Sequence, residues 1–92
     1  MIKSFKHKGL KLYWEHDDWR GIQHQHARKL KLILDLLDAA TIVDDVDFPG
    51  SRLHLLEPKK DNIWSVTVSG NWRIVFKFEN NNVYIVDYKD YH

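Results

Sequence analysis

The chain has no cysteine, only two prolines, four glycines and a single methionine. Without thiols there is no disulfide framework and no thiolate metal site, so the fold must rest on packing alone. No stretch approaches the roughly 18 apolar residues that a membrane span needs. The opening Met1-Ile2-Lys3-Ser4-Phe5-Lys6 has no apolar segment behind its lysines and does not read as a signal peptide. A complete cytoplasmic chain with no membrane partner is therefore expected. Repeats, low-complexity tracts, a glycine-rich phosphate loop and any Ser or Cys nucleophile motif are also missing. The formal net charge is +1, well short of the basic excess usual in a generic nucleic-acid binder.

What is present is enough for one domain, residues 1–92, with one modest core. Hydrophobic residues make up 43% and charged residues 29%, the balance of a globular rather than a disordered chain. Four Trp, four Tyr and four Phe supply the bulk of that core. The charge is unevenly spread. Residues 1–31 hold 8 Lys and Arg against 3 Asp and Glu, residues 32–57 hold 1 against 6, and residues 58–92 hold 5 against 4. Local basic patches for phosphate contacts are compatible with this distribution, as is an ordinary mixed surface.

Hydrophobic periodicity divides the chain into a helical part and a strand part. Ile2 to Phe5 is a candidate short strand. A helix is expected from about His7 to Glu15, with Leu10, Tyr13 and Trp14 at helical spacing. Gly21 punctuates the connection that follows. From about Gln23 to Ala39 there is no Gly or Pro, and Ala27, Leu30, Ile33, Leu34 and Leu37 form one stripe. Leu32 and Leu36 widen that stripe and predict a helix covered on more than one side. Its cations precede its aspartates, against the helix dipole. After Pro49-Gly50 the pattern alternates. Arg52 to Leu56 reads as a strand. Trp64, Val66 and Val68 form one face of the next, and Ser69-Gly70-Asn71 a hairpin turn. Trp72, Ile74 and Phe76 continue that face, with Arg73 and Lys77 opposite. Asn80-Asn81-Asn82 is a second turn. In the last strand Val83, Ile85 and Asp87 alternate with Tyr84, Val86 and Tyr88. Helices followed by an antiparallel meander give an α+β fold.

Six histidines invite a metal reading. On a helix His24 and His26 point about 200° apart and do not share one ion. In a loop they would still lack a clear third ligand, so no metal and no cofactor is expected, and these two read as surface histidines. His54, in a strand pattern, and His92 stand apart, although either alone reads equally as a structural or surface residue. Together they suit RNA scission by transesterification, which needs a base for the 2′-hydroxyl and an acid for the leaving 5′-oxygen. Arginine matches the phosphate, and tyrosine stacks on a base or donates a proton. His54, Arg73, Asp90, Tyr91 and His92 supply that set.

Three segments resemble HigB toxins of the RelE/ParE superfamily. They are Pro49-Gly50-Ser51-Arg52-Leu53-His54, the run Trp64-Ser65-Val66-Thr67-Val68-Ser69-Gly70-Asn71-Trp72-Arg73-Ile74-Val75-Phe76, and Val86-Asp87-Tyr88-Lys89-Asp90-Tyr91-His92. The opening Met1 to Leu10 and the stretch Leu32 to Thr41 are also similar, so the resemblance runs the length of the chain. It implies a compact RelE-like α+β domain, with two N-terminal helices packed on an antiparallel sheet. It implies ribosome-dependent cleavage of messenger RNA, and neutralisation by a HigA-type helix-turn-helix antitoxin through which DNA is met only indirectly. It assigns His54, Asp90, Tyr91 and His92 to catalysis, and Asn71 and Arg73 to RNA and phosphate. Many relatives carry a lysine three residues after the strand histidine. Here that residue is Glu57, and either Lys59 or Lys60 returns to the phosphate or the charge is lost.

Two rival readings remain open at this level. One is a non-enzymatic toxin of the same fold that inhibits gyrase by binding, as ParE-like relatives do. The other is an antitoxin-binding module whose activity has decayed, which Glu57 alone supports. The paired proton-transfer groups favour the nuclease.

Overall fold

The computed structural model describes residues 1–57 and 62–91, with Glu57 described by its backbone only. Two helices come first. Helix α1 (Lys8–His16) is capped by His7, whose Nδ1 accepts the Leu10 N–H at 3.0 Å. It ends at Asp17 in the left-handed conformation, with φ 54°. The connection crosses α1 closely at Gly21, where an added Cβ would lie 2.5 Å from Gly9 Cα. Gly21 is thus required by this approach, not only as a chain break.

A one-turn 3₁₀ segment (His24–His26) leads into helix α2 (Ala27–Ala39). Ala27, Leu30, Ile33, Leu34 and Leu37 are buried, but Leu32 stays 49% exposed. The helix is therefore covered on one side, not on several. Its reversed charges have tertiary partners. Lys29 lies over the Phe48 ring, Lys31 lies over Trp14 and pairs with Asp35, and Asp38 accepts the Ile2 N–H. Cation–π contacts of about 0.5–1 kcal/mol at exposed sites match the dipole cost they oppose.

Four antiparallel strands follow in sequential order: β1 (His54–Glu57), β2 (Ile63–Ser69), β3 (Trp72–Glu79) and β4 (Asn82–Asp90). The expected first strand does not form as such. Ile2 and Phe5 make only single parallel bridges to Val83 and Val86 along the outer edge of β4. Val66, Val68, Ile74, Phe76, Val83, Val86 and Tyr88 close the core against both helices.

The alternation predicted for the last strand breaks at Ile85. Tyr84 pairs with Lys77 and Asp87 with Val75, so two β4 residues, Ile85 and Val86, stand against Phe76 alone. Ile85 takes φ 49° in this bulge. Val83 and Val86 are both buried, whereas Ile85 is 45% exposed. Positive φ is an outlier for a β-branched residue. Here it is held by Ser4, whose Oγ accepts the Ile85 N–H at 2.8 Å and whose carbonyl accepts the Val86 N–H at 3.1 Å.

Candidate active site

The helices cover one face of the sheet; the other, the open face, carries no helix among the described residues, although Ser65, Val75 and Asp87 on it are buried. By register, His54, Ser65, Val75 and Asp87 form one row across the open face, and Thr67, Arg73 and Lys89 form the next. The start of β1, the β2–β3 turn and the end of β4 all lie at this end of the sheet. The topology therefore gathers the three segments that carry the sequence resemblance.

His54 is exposed at the first position of β1. The loop before it has two residues at positive φ, Gly50 at 85° and Arg52 at 48°. It is fastened by buried Ser51, whose hydroxyl donates to Asp47 and whose carbonyl accepts the Thr67 N–H. His54 Nδ1 lies 3.1 Å from the Arg52 carbonyl oxygen. A carbonyl only accepts, so Nδ1 carries the proton in this bond. In that tautomer Nε2 carries the lone pair, as a general base requires.

Arg73 is partly buried, and its Nη1 donates to the carbonyls of Gly70 at 2.8 Å and Trp72 at 3.3 Å. These bonds tie its guanidinium to the hairpin turn. No hydrogen bond joins Nε or Nη2 to a described residue, so those donors remain for an anion. Lys89, which sequence reading left without a role, is the direct cross-strand partner of Arg73. Like charges in that position repel, and here the Lys89 ammonium is partly offset by Asp87 at 3.8 Å. A bound phosphate would be attracted by both cations. The missed signal was a register: the face of Lys89 follows from its pairing, which the bulge at Ile85 hides from simple alternation. Two buried hydroxyls on the same face, Ser65 Oγ and Thr67 Oγ1, have no hydrogen-bond partner among the described residues.

Asn71 is exposed in the turn, and its carbonyl accepts the Tyr91 N–H at 2.8 Å. This bond ties the chain terminus to the hairpin. Tyr91 is 40% exposed, with its ring 5.9 Å from Lys89 Nζ. Asp90 pairs with Trp72 and therefore sits on the helix side, not beside His54. His92, Lys59 and Lys60 lie outside the described residues. Of the candidate set, Asn71, Arg73 and Tyr91 lie at the end of the β3–β4 pair, with Asp90 at the same end on the helix side. His54 stands on β1, three strands from β4 and about 14 Å away at the usual strand spacing.

Beneath this end, on the covered side, lies an aromatic cluster. His26 is 5% exposed, and its Nδ1 hydrogen-bonds the Tyr88 hydroxyl. Trp72 packs on both rings. Burial pushes the His26 pKa down. It also raises that of Tyr88, partly offset by a backbone hydrogen bond from Gln23 and reinforced by the Asp90 charge. His26 is thus a core residue, contrary to the surface reading. His24 is exposed, with Nε2 3.2 Å from the Trp19 carbonyl oxygen. Among the described residues, no three His, Asp or Glu side chains gather as a metal ligand set.

Residues 3–92 match a family of HigB-like toxins, described as the RelE-like toxin of the type II toxin–antitoxin system HigB. The chain is 42% identical over 92 residues to the endoribonuclease HigB of Proteus vulgaris, covering all of both proteins. It is also 40% identical over 58 residues to an uncharacterized protein of Haemophilus influenzae, covering 62% of this chain and 54% of that one. With the match spanning both helices and all four strands, the chain belongs to the HigB family of RelE-like toxins, the toxin half of type II toxin–antitoxin systems.

Proposed function

We propose that the chain is an endoribonuclease that cuts messenger RNA on the ribosome by acid–base transesterification. The observation that carries this reading is the open sheet face. It holds an exposed His54 on β1, with its Nδ1 bonded to the Arg52 carbonyl, and two cations in cross-strand register, Arg73 and Lys89, on β3 and β4. The polyanion would lie across β2 and β3. His54 Nε2 takes the 2′-hydroxyl proton, and that oxygen attacks the adjacent phosphorus. The free donors of Arg73, together with Lys89, hold the non-bridging oxygens as negative charge builds. The bond from phosphorus to the 5′-oxygen breaks, and the leaving oxygen takes a proton from Tyr91 or His92. The products are a 2′,3′-cyclic phosphate and a 5′-hydroxyl. Asn71 fixes the terminus that supplies the acid, and Asp90 acts from behind the sheet. Lys89 supplies charge that Glu57 does not, whatever Lys59 and Lys60 contribute.

The toxin is held silent in the cytoplasm by an antitoxin, here read as a HigA-type helix-turn-helix protein. Among the described residues no helix is long and apolar enough to cross a membrane. An in-vitro translation assay tests the function, scoring message cleavage against gyrase inhibition. Cut messages ending in cyclic phosphate are expected. Gyrase inhibition with intact messages would replace this reading by the ParE-like one. Neither effect would leave an antitoxin-binding module.

A further inference from the structure

We propose that a depression on the open face is a base subsite, holding one amino-bearing nucleobase of the RNA next to the scissile phosphate. This rests on the endoribonuclease reading above and specifies how that site would choose its substrate. The depression is lined by Lys6, Ile63, Val75, Phe76, Ile85, Asp87 and Lys89, and has a volume of about 180 Å³. Sites that enclose a whole small molecule run to roughly 300–1,000 Å³. A smaller recess suits a single ring of a longer ligand whose remainder runs over the surface.

Position ties the recess to the chemistry. Val75 and Asp87 belong to the register row that begins at His54, and Lys89 faces Arg73 in the adjoining row. A phosphate held by Arg73 and Lys89 would leave the neighbouring nucleotide above Val75. Ile63, Val75 and Ile85 offer an apolar surface to a ring, and Lys6 and Lys89 add positive charge to the lining for phosphates. Single-stranded RNA is read in this way, with bases splayed out and hydrogen-bonded along their edges.

Asp87 supplies the edge contact. It is 9% exposed, and its Oδ1 accepts the Tyr88 N–H at 2.9 Å. Its Oδ2 lies 3.8 Å from Lys89 Nζ, too far for a good hydrogen bond and so still able to accept one. An ionised carboxylate only accepts. The exocyclic amines of adenine, cytosine and guanine donate to it, whereas uracil offers only its N3–H, flanked by two carbonyl oxygens that repel the carboxylate. The backbone adds a separate argument. The bulge holds Ile85 against the recess at a φ that Gly or Asn would adopt without strain, and bulges of this kind re-aim side chains beside active sites.

The test uses the full chain and messages randomised around the cut, in a translation extract. The unaltered protein should disfavour uracil at one fixed offset from the cut. Asp87→Asn, which adds a donor, should lose about tenfold of that discrimination while still cutting. Ile85→Phe, made at an exposed position, should fill the recess and raise KM about tenfold with kcat little changed. An unchanged base preference in folded Asp87→Asn overturns the subsite, as does a wild-type profile indifferent to uracil at every offset. If Asp87→Asn does not fold, Ile85→Phe decides alone, and an unchanged KM overturns the proposal. Cutting by the unaltered protein with either negative result sinks only the subsite. If the unaltered protein cuts no RNA, both readings fall.

Discussion

The two faces of the sheet are built from the same strands and obey different rules. On the covered face Val66, Ile74, Phe76, Val83 and Val86 are wholly buried, and the buried His26 is bonded to a tyrosine. On the open face, two cations oppose each other across β3 and β4, and two hydroxyls have no partner among the described residues. An unpaired buried hydroxyl costs about 1–3 kcal/mol, and valine in either position would remove that cost. The covered face is thus what folding alone would select. The open face gives up stability in the way expected of a surface kept for a ligand.

The largest effects should separate the faces cleanly. Phe76→Ala is expected to cost about 3–5 kcal/mol, as truncations of buried aromatics do. For 92 residues, total stability is about 5–14 kcal/mol, so about a fifth or more is lost and the melting temperature falls by more than about 12 °C. His54→Ala should do the reverse. Its ring is exposed and bonded only locally, so the melting temperature should hold while cleavage falls about 10²–10⁴-fold. Thermal melts and message cleavage on the same two proteins check this. An active Phe76→Ala protein of unchanged stability, or a fully toxic His54→Ala protein, would erase the distinction between the faces.

Arg73 belongs to both descriptions. Arg73→Ala should cost about 1 kcal/mol through the lost turn carbonyl contacts, or about 4–8 °C, and should also lower cleavage at least tenfold. Lys89→Ala should reduce cleavage with little change in melting temperature, because it removes the like charge in register with Arg73 together with the long ion pair to Asp87. If both variants lose stability equally, the cation pair is structural.

These contrasts explain which parts of the molecule were legible in the sequence. Period-2 and period-3.6 patterns report burial, so the helices, the meander and the inward rows of β2 and β3 could be read directly. Ile85 could not, since nothing in an alternating apolar run marks the residue at which a bulge shifts the phase. His26 was misread because a helix period gives direction but not the partner, and Tyr88 lies 62 positions away. Arg73 was placed on the correct face, yet its hold on Gly70 depends on turn geometry. Lys89 acquires its position only from pairing with Arg73. The shared face of His54 and the cation pair likewise depends on registers across three strand pairs, which no local pattern encodes.

His26 gives a pH-dependent view of the covered face. Its folded pKa lies below the ordinary value near 6.5, because burial penalises the charged ring. The unfolded chain therefore binds this proton first as the pH falls. Stability is fully present above about 6.5 and declines between that value and the lower folded one. The melting temperature should drop between pH 7.5 and 5.5, before most carboxylates titrate. His26→Gln keeps a hydrogen-bonding group near Tyr88 and should flatten that drop. An equal slope in the variant would mean that another group governs stability in this range.

The smallest effect should come from Ile85, and its sign is the informative part. A β-branched residue at φ 49° carries strain of about 1–3 kcal/mol, while at 45% exposure its side chain has little burial to lose. Asn tolerates the left-handed region. It also keeps the backbone N–H that Ser4 Oγ accepts. Ile85→Asn should therefore stabilise the chain by about 1 kcal/mol, raising the melting temperature by about 4–8 °C. The same change removes an apolar wall from the recess beside Asp87, so cleavage should weaken as stability rises. A rise in stability with full activity would make the strain incidental to function. A fall in stability would show that Ile85 packs more tightly than its exposure implies, and the strained bulge would then belong with the covered face, where packing alone sets the residue.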